Sequence, residues 1–214
     1  LLAALIVAAV FVNGGNYGLA VNKFAFGDEA LARAVVYYVF STLGVYTLGV
    51  SVASLGKRPP REALMQVFTL PASYALLGAG GLRLTGWQVP ELLDRAITLA
   101  SQAAIPVMLV LLGLQIAEAR RQAWPRERFG LIAVASLLQL VVAPLVGLLL
   151  ATLLGLTGVT RQAAILEASM PTAVITTILA VEYDLDAAFV TGTVILSTLL
   201  SPLTLTPLIA YLQG

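Results

Sequence analysis

Five uninterrupted apolar runs constrain this chain more than any other feature: roughly Ala30–Leu55, Ala63–Leu82, Leu92–Ala117, Phe129–Leu156 and Ala187–Leu212. A helical membrane span needs about 20 mostly apolar residues. The runs do not alternate apolar with polar, so they read as helices and not as strands of a membrane barrel. Only 11% of the 214 residues are charged, against roughly 25% in a soluble domain, and the mean hydropathy is +0.95. The chain is therefore an integral, multi-pass membrane protein, expected in the cell (inner or plasma) membrane. It has no cysteine and no histidine, which removes disulfide, thiolate and imidazole chemistry. The net charge of +1 points to no partner. Nothing in the sequence calls for a cofactor or a nucleic acid.

Two further segments reach spanning length only if a break is tolerated. Leu1–Gly27 is interrupted by "NGGN" at Asn13–Asn16, and Arg161–Val181 is interrupted at Pro171. No charged region precedes the first apolar run, so it does not read as a signal peptide. The expectation is a fragment whose earlier spans are absent. Basic residues concentrate in two connections, Lys57, Arg58 and Arg61 in one, and Arg120, Arg121, Arg126 and Arg128 in the other. Two spans separate these connections, so they share a side, and the positive-inside rule places both in the cytoplasm. Trp87 and Trp124 fall near span ends, as interface anchors do.

"FGDEALARAVVYYVFSTL" and "EYDLDAAFVTGTVILSTL" share an order: a broken span, a short acidic turn, then a long helix. The second helix lies five spans after the first, an odd number, so the repeats are inverted. Paired interruptions at matching points of inverted halves are the best sequence pointer to the binding site of a secondary transporter.

A proline inside a helix removes a backbone hydrogen bond, yet proline is well tolerated at a helix start. Pro171 is expected to end one half-helix and begin another, with Ser169 and Thr172 satisfying freed backbone groups. In the partner segment Gly14 and Gly15 are expected to break the helix, with Asn16 capping a half-helix from Tyr17 to Phe26. Half-helices present positive dipole ends and unpaired N–H groups at the midplane, which suits an anion, a carboxylate most naturally.

Glu167 is the one acid of the 11 well inside a span. It must pair, face water or be protonated, and it is the candidate for coupling to a proton or a sodium ion as well as for a structural hydrogen bond. Lys23 either snorkels to the interface or complements an anionic substrate. Tyr46, Ser41 and Thr42 share a span and are candidates to line a cavity. Pro106 and Pro144 read as helix-shaping kinks.

"NGGNYGLAVNKFAFGDEAL", "QAAIPVMLVLLGLQIA", "LLQLVVAPLVGLLLA" and "LEASMPTAVITTILAVEYDLD" resemble, in order and through nearly the whole chain, the auxin efflux carrier family, including its bacterial malonate- and malate-type permeases. The resemblance implies two inverted five-span repeats whose fourth and ninth spans are broken and cross near the midplane. It implies that seven of ten spans are present: residues 1–55 end the first repeat, 56–62 form a cytoplasmic linker, and 63–214 make the second repeat. It places the crossovers at Asn13 to Ala20 and Ser169 to Thr172, gives Asn13 and Lys23 counterparts in plant members, and sets Tyr46 near a carboxylate site. Two departures stand out: Ala20 where relatives usually have proline, and Gln139 where many have arginine.

The expected function is a secondary carrier for a small organic anion, working by alternating access at crossed helices. Asn13, Asn16, Lys23, Ser41, Tyr46, Ser169, Pro171 and Thr172 are the candidate substrate residues, and Glu167 is the coupling candidate. The alternatives are a sodium-coupled symporter of the bile-acid type and a non-transporting receptor or scaffold. An intramembrane serine protease is excluded by the lack of histidine. Homodimerisation is left open.

Overall fold

The computed structural model describes residues 1–54, 71–119 and 126–214. These form α1 (Leu2–Val10), a wide π-helical turn (Gly14–Gly18), α2 (Leu19–Gly44), a second wide turn (Val45–Gly49) and α3 (Val50–Ala53). After them come α4 (Pro71–Thr85), α5 (Glu91–Ala119), a 3-10 turn (Arg126–Arg128), α6 (Phe129–Leu137), a third wide turn (Leu138–Val142) and α7 (Ala143–Leu153). The chain closes with α8 (Gly158–Ala168), α9 (Ile175–Glu182) and α10 (Ala187–Gln213). The expected all-helical architecture holds, with no strand among the described residues beyond one isolated antiparallel bridge, Val12 to Thr172. The linker 56–62, residues 63–70 of the second expected span, Lys57, Arg58, Arg61, Arg120, Arg121 and Trp124 lie outside the described residues.

Four described stretches are long and apolar enough to cross a membrane: Gly14–Ala53, Glu91–Glu118, Phe129–Leu153 and Ala187–Gln213. The first runs 40 residues, or about 60 Å of helix, twice the roughly 30 Å hydrocarbon core. It turns at Gly27, whose φ of 84° and ψ of −167° belong to a region only glycine enters freely. Asp28 and Glu29 follow at the start of the outgoing helix, where acids favour the dipole.

In lipid there is no hydrophobic drive between helices, so close packing of small residues holds a bundle together. The residues here obey that rule. On α7, Leu145, Leu149 and Leu153 are exposed while Pro144, Gly147 and Ala151 are buried. Gly147 is close enough to Ala168 that a Cβ on it would sit 3.0 Å from the alanine methyl. Ala4 and Ala8 of α1 pack with Ile132 and Ala135 of α6 and Phe189 and Val190 of α10. The most extensive helix–helix contact is between α2 and α8.

Pro106 sits inside an unbroken α5. Pro144 follows the third wide turn, in which the Ala143 N–H reaches back to Leu138 C=O. A proline cannot donate to the preceding turn, and the local widening absorbs that loss. Arg128, just before α6, pairs with Asp186, just before α10, at 2.8 Å. Asp186 also caps α10, accepting from the Phe189 N–H at 3.0 Å. At the other end, Gln162 donates to Leu212 C=O at 2.8 Å and Gln213 to Ala25 C=O at 3.2 Å.

Candidate functional site

Helix α1 stops at Val10 and Phe11 is extended, with φ −93° and ψ 120°. Helix α8 stops at Ala168, and regular helix resumes only at Ile175. The two interruptions lie side by side and antiparallel. The Asn13 N–H donates to Pro171 C=O at 2.8 Å, and the Ala173 N–H donates to Phe11 C=O at 2.8 Å. Each break thus satisfies backbone groups that the other leaves open, which buried backbone in a membrane requires.

Side chains complete the accounting. Thr172 Oγ1 donates to Ala8 C=O at 2.8 Å, the carbonyl freed when α1 ends. The Thr172 N–H donates to Ser197 Oγ of α10 at 3.2 Å. Gln139 Nε2 donates to Met170 C=O at 2.9 Å, and Ser169 Oγ to Ile165 C=O at 2.6 Å. Ser169, Pro171, Thr172 and Gln139 are all buried.

The first break differs from its sequence reading. It falls at Phe11–Asn13, ahead of the glycines, and helix resumes at Gly14. Asn16 caps nothing: it lies inside the wide turn, where the Gly18 N–H reaches Asn13 C=O at 3.0 Å and the Leu19 N–H reaches Gly14 C=O. Ala20, where the resemblance implies proline, is fully buried in the first turn of α2. The glycines serve close approach instead. A Cβ on Gly14 or Gly18 would stand 2.5 Å from a carboxylate oxygen of Glu167, and one on Gly15 would stand 2.7 Å from the Tyr38 ring.

A cavity of about 330 Å³ opens beside the paired interruptions, within the range of small-molecule sites. One wall is Asn13, Gly14, Gly15 and Asn16. A second is Tyr38, Ser41, Thr42 and Tyr46. The third is Ala173, Val174, Ile175 and Ile178, with Gln115 of α5 above. Asn16 Nδ2 donates to Gln115 Oε1 at 3.4 Å. The first N–H groups of a helix have no intrahelical carbonyl. Two helix N-termini, at Gly14–Asn16 and Val174–Ile175, border this one cavity. Asn13 Nδ2 is buried there without a partner. No lysine, arginine or acid is among the described residues that line it.

Of the candidate substrate residues, Asn13, Asn16, Ser41 and Tyr46 line the cavity, whereas Ser169, Pro171 and Thr172 stand behind it as its frame. Lys23 does not line it; its ammonium pairs with Asp28 at 2.8 Å, close to the turn at Gly27. Glu167 is outside the cavity as well. It is fully buried between α8 and the Gly14–Gly18 turn, with Asn22 Nδ2 donating to its Oε1 at 3.0 Å and its Oε2 unpartnered.

Asn22, Gln139 and Ser197 escaped sequence reasoning as parts of this site. Their signal was available in outline. Asn22 stands four and eight residues after Gly18 and Gly14, on the same helix face. Gln139 is a lone amide in an otherwise apolar span. Which carbonyl each amide would meet is a matter of tertiary packing.

A second, mostly apolar cavity of about 190 Å³ shares Gln115, Val174 and Ile178 with the first and runs on to Thr191 and Thr198 of α10. Both cavities lie beside the second interruption, and comparison with known proteins shows the class of protein they belong to. An uncharacterized transporter of Methanothermobacter thermautotrophicus is 29% identical over 198 residues, covering 92% of this chain and 64% of that protein. An uncharacterized transporter of Methanocaldococcus jannaschii is 25% identical over 207 residues, covering 94% of this chain and 65% of that protein. The chain thus spans somewhat less than two thirds of the length of these curated relatives. A family described as membrane transport protein matches residues 60–209. That match takes in α4 to α9, most of α10 and the whole second interruption, and the chain belongs to this family of membrane transport proteins.

Proposed function

We propose that the chain is the substrate-binding part of a secondary carrier for a small organic anion, a mono- or dicarboxylate of the malonate or malate type. The observation that carries the reading is the convergence of two helix N-termini and the unpaired Asn13 amide on one cavity of about 330 Å³. A carboxylate placed there accepts from N–H groups that have no other acceptor, and each dipole end favours its charge. Among the described residues no formal cation lines the cavity, so their part in binding rests on preorganised N–H groups and neutral polar side chains. Such a site releases its ligand more readily than an ion pair does, as a carrier needs.

In this reading the interruptions are the crossed helices of two inverted repeats, residues 1–55 and 63–214, with residues 56–62 between them. The reciprocal bonds between Asn13 and Pro171 and between Phe11 and Ala173 support that pseudo-symmetry. Alternating access rocks one repeat against the other about this pivot. Asn13, Asn16, Ser41 and Tyr46 contact the substrate; Ser169, Pro171 and Thr172 hold the pivot; Glu167 carries the coupling ion. Lys23 contributes at most a distant charge that Asp28 already offsets.

The test is uptake of labelled malonate, malate and monocarboxylates by liposomes holding the full-length protein, with and without Asn13→Ala. Saturable uptake with a KM raised about tenfold in the variant is expected, the loss of one hydrogen bond to a charged group. Undiminished uptake in the variant overturns the site, and no uptake of any carboxylate overturns the carrier. Uptake that requires sodium selects the sodium-coupled alternative.

A further inference from the structure

The Glu167–Asn22 pair is short of one proton. Glu167 accepts from Asn22 Nδ2 through Oε1 at 3.0 Å. The orientation of the Asn22 amide is fixed by a second acceptor, because the same nitrogen also donates to Gly18 C=O at 3.0 Å. What remains on the two side chains is Glu167 Oε2 and Asn22 Oδ1, both fully buried and both unpartnered. Two acceptors cannot satisfy each other. A proton on Oε2 turns that oxygen into a donor and removes the charge from a fully buried carboxylate.

The surroundings supply no other remedy. On α2 and the adjoining turn, the titratable side chains near Glu167 are the phenols of Tyr37, which lies within its electrostatic reach, and of Tyr38, whose ring touches the same glycines. Tyr17 lies on the turn itself, with its hydroxyl against Ser201 of α10. Lys23, next to Asn22 in sequence, is engaged by Asp28. Arg161 stands on the same helix as Glu167, with no ion pair between them among the described residues. Helix α7 has no titratable residue, and α10 has none but Tyr211, exposed near its far end.

No cavity for a metal ion lies beside Glu167 among the described residues. The carboxylate packs directly on Gly14 and Gly18, where even an added methyl would stand 2.5 Å from its oxygens. Glu167 borders neither cavity, and no cluster of three acids is present among the described residues. A proton needs no room.

We propose that Glu167, paired with Asn22, is the proton site of this carrier and that the coupling ion is a proton, not sodium. The proposal rests on the carrier reading for its coupling step only. With the proton in place the contact between α8 and the Gly14–Gly18 turn is neutral and keeps the bond from Asn22. When the proton leaves to water, the carboxylate requires hydration, which it obtains only if α8 and the turn part. Protonation state and access state are thereby linked, and anion and proton move together.

The test has two arms. Infrared difference spectra of the full-length protein in liposomes, wild type against Glu167→Gln, need no substrate. A protonated-acid carbonyl band at neutral pH, shifted by deuteration, moved in Asn22→Leu and absent in Glu167→Gln, is the expected result. Absence of that band in the wild type overturns the proton site, whatever the carrier does. In the second arm an imposed pH gradient at zero membrane potential should accelerate labelled malonate or malate uptake several-fold in the wild type and not at all in Glu167→Gln. A gradient response retained in Glu167→Gln overturns the coupling role. An acid band without uptake of any carboxylate leaves the proton site standing and overturns the carrier reading alone.

Discussion

The backbone N–H of Asn13 donates to the carbonyl of Pro171 at 2.8 Å, across 158 positions of sequence. With its mirror bond from Ala173 to Phe11, this contact makes one joint of two separate interruptions. A lone break in a membrane helix leaves backbone groups without partners, each costing several kcal/mol in hydrocarbon on the order of a full desolvation penalty. Two breaks that face each other remove much of that cost. The joint also directs the restarting helices, so that their N-termini open onto a common space.

Thr172→Val removes the hydroxyl that serves Ala8 C=O while keeping the shape of the side chain. A buried carbonyl left without a donor costs about 1–3 kcal/mol. Thermal unfolding of the detergent-solubilised full-length protein should show that loss, and Thr172→Ser should restore most of it.

Gln139→Leu orphans Met170 C=O in the same way. A destabilisation of about 1–3 kcal/mol is expected, partly offset because the substitution also removes Gln139 Oε1, itself buried without a partner. A midpoint equal to wild type in the same unfolding assay would show that the contact to Met170 is unimportant.

Gly18→Ala drives a methyl into the Glu167 carboxylate. Overpacking of this kind costs about 1–3 kcal/mol. Shortening the partner should relieve it: the double variant Gly18→Ala with Glu167→Ala is expected to be more stable than the sum of the single effects predicts, by about 0.5–3 kcal/mol. Strict additivity of the unfolding midpoints would count against direct contact.

Tyr46→Phe and Ser41→Ala each remove a hydroxyl from the cavity wall and leave the backbone bonds of the crossing alone. If the cavity holds the anion, KM for carboxylate uptake should rise about 2- to 12-fold for each, the equivalent of about 0.5–1.5 kcal/mol. Unfolding midpoints should stay within about 0.5 kcal/mol of wild type.

Lys23→Met breaks an ion pair whose partner, Asp28, is largely exposed. Such pairs contribute roughly 0–1 kcal/mol, and Lys23 is absent from the cavity lining. Little change in stability or in KM is expected; a KM raised tenfold would return Lys23 to the substrate site.

Much of this protein is determined by the sequence alone, because membrane helices are dictated by local rules. A run of apolar residues must cross as helix whatever surrounds it, since hydrocarbon offers the backbone no other partner. For that reason α5, α6–α7 and α10 coincide with apolar runs, and Pro171 marks its interruption without help from any contact. The acid inside α8 announced that Glu167 would need a partner or a proton. Tertiary structure decided what those features meet. The break near Asn13 moved ahead of the glycines because it pairs with Pro171, a contact no local rule specifies. Gly14 and Gly15 read as breakers in isolation, yet with Gly18 they are the flat ground on which Glu167 and Tyr38 rest. Asn22 and Gln139 were visible as amides in greasy helices, but an amide does not name its acceptor; only the packing of α2 on α8 and of α6–α7 beside the second interruption chose Glu167 for one and Met170 for the other. Spans follow from solvation, which acts on each segment separately, whereas the site follows from how hydrogen bonds left open in one segment are closed by another.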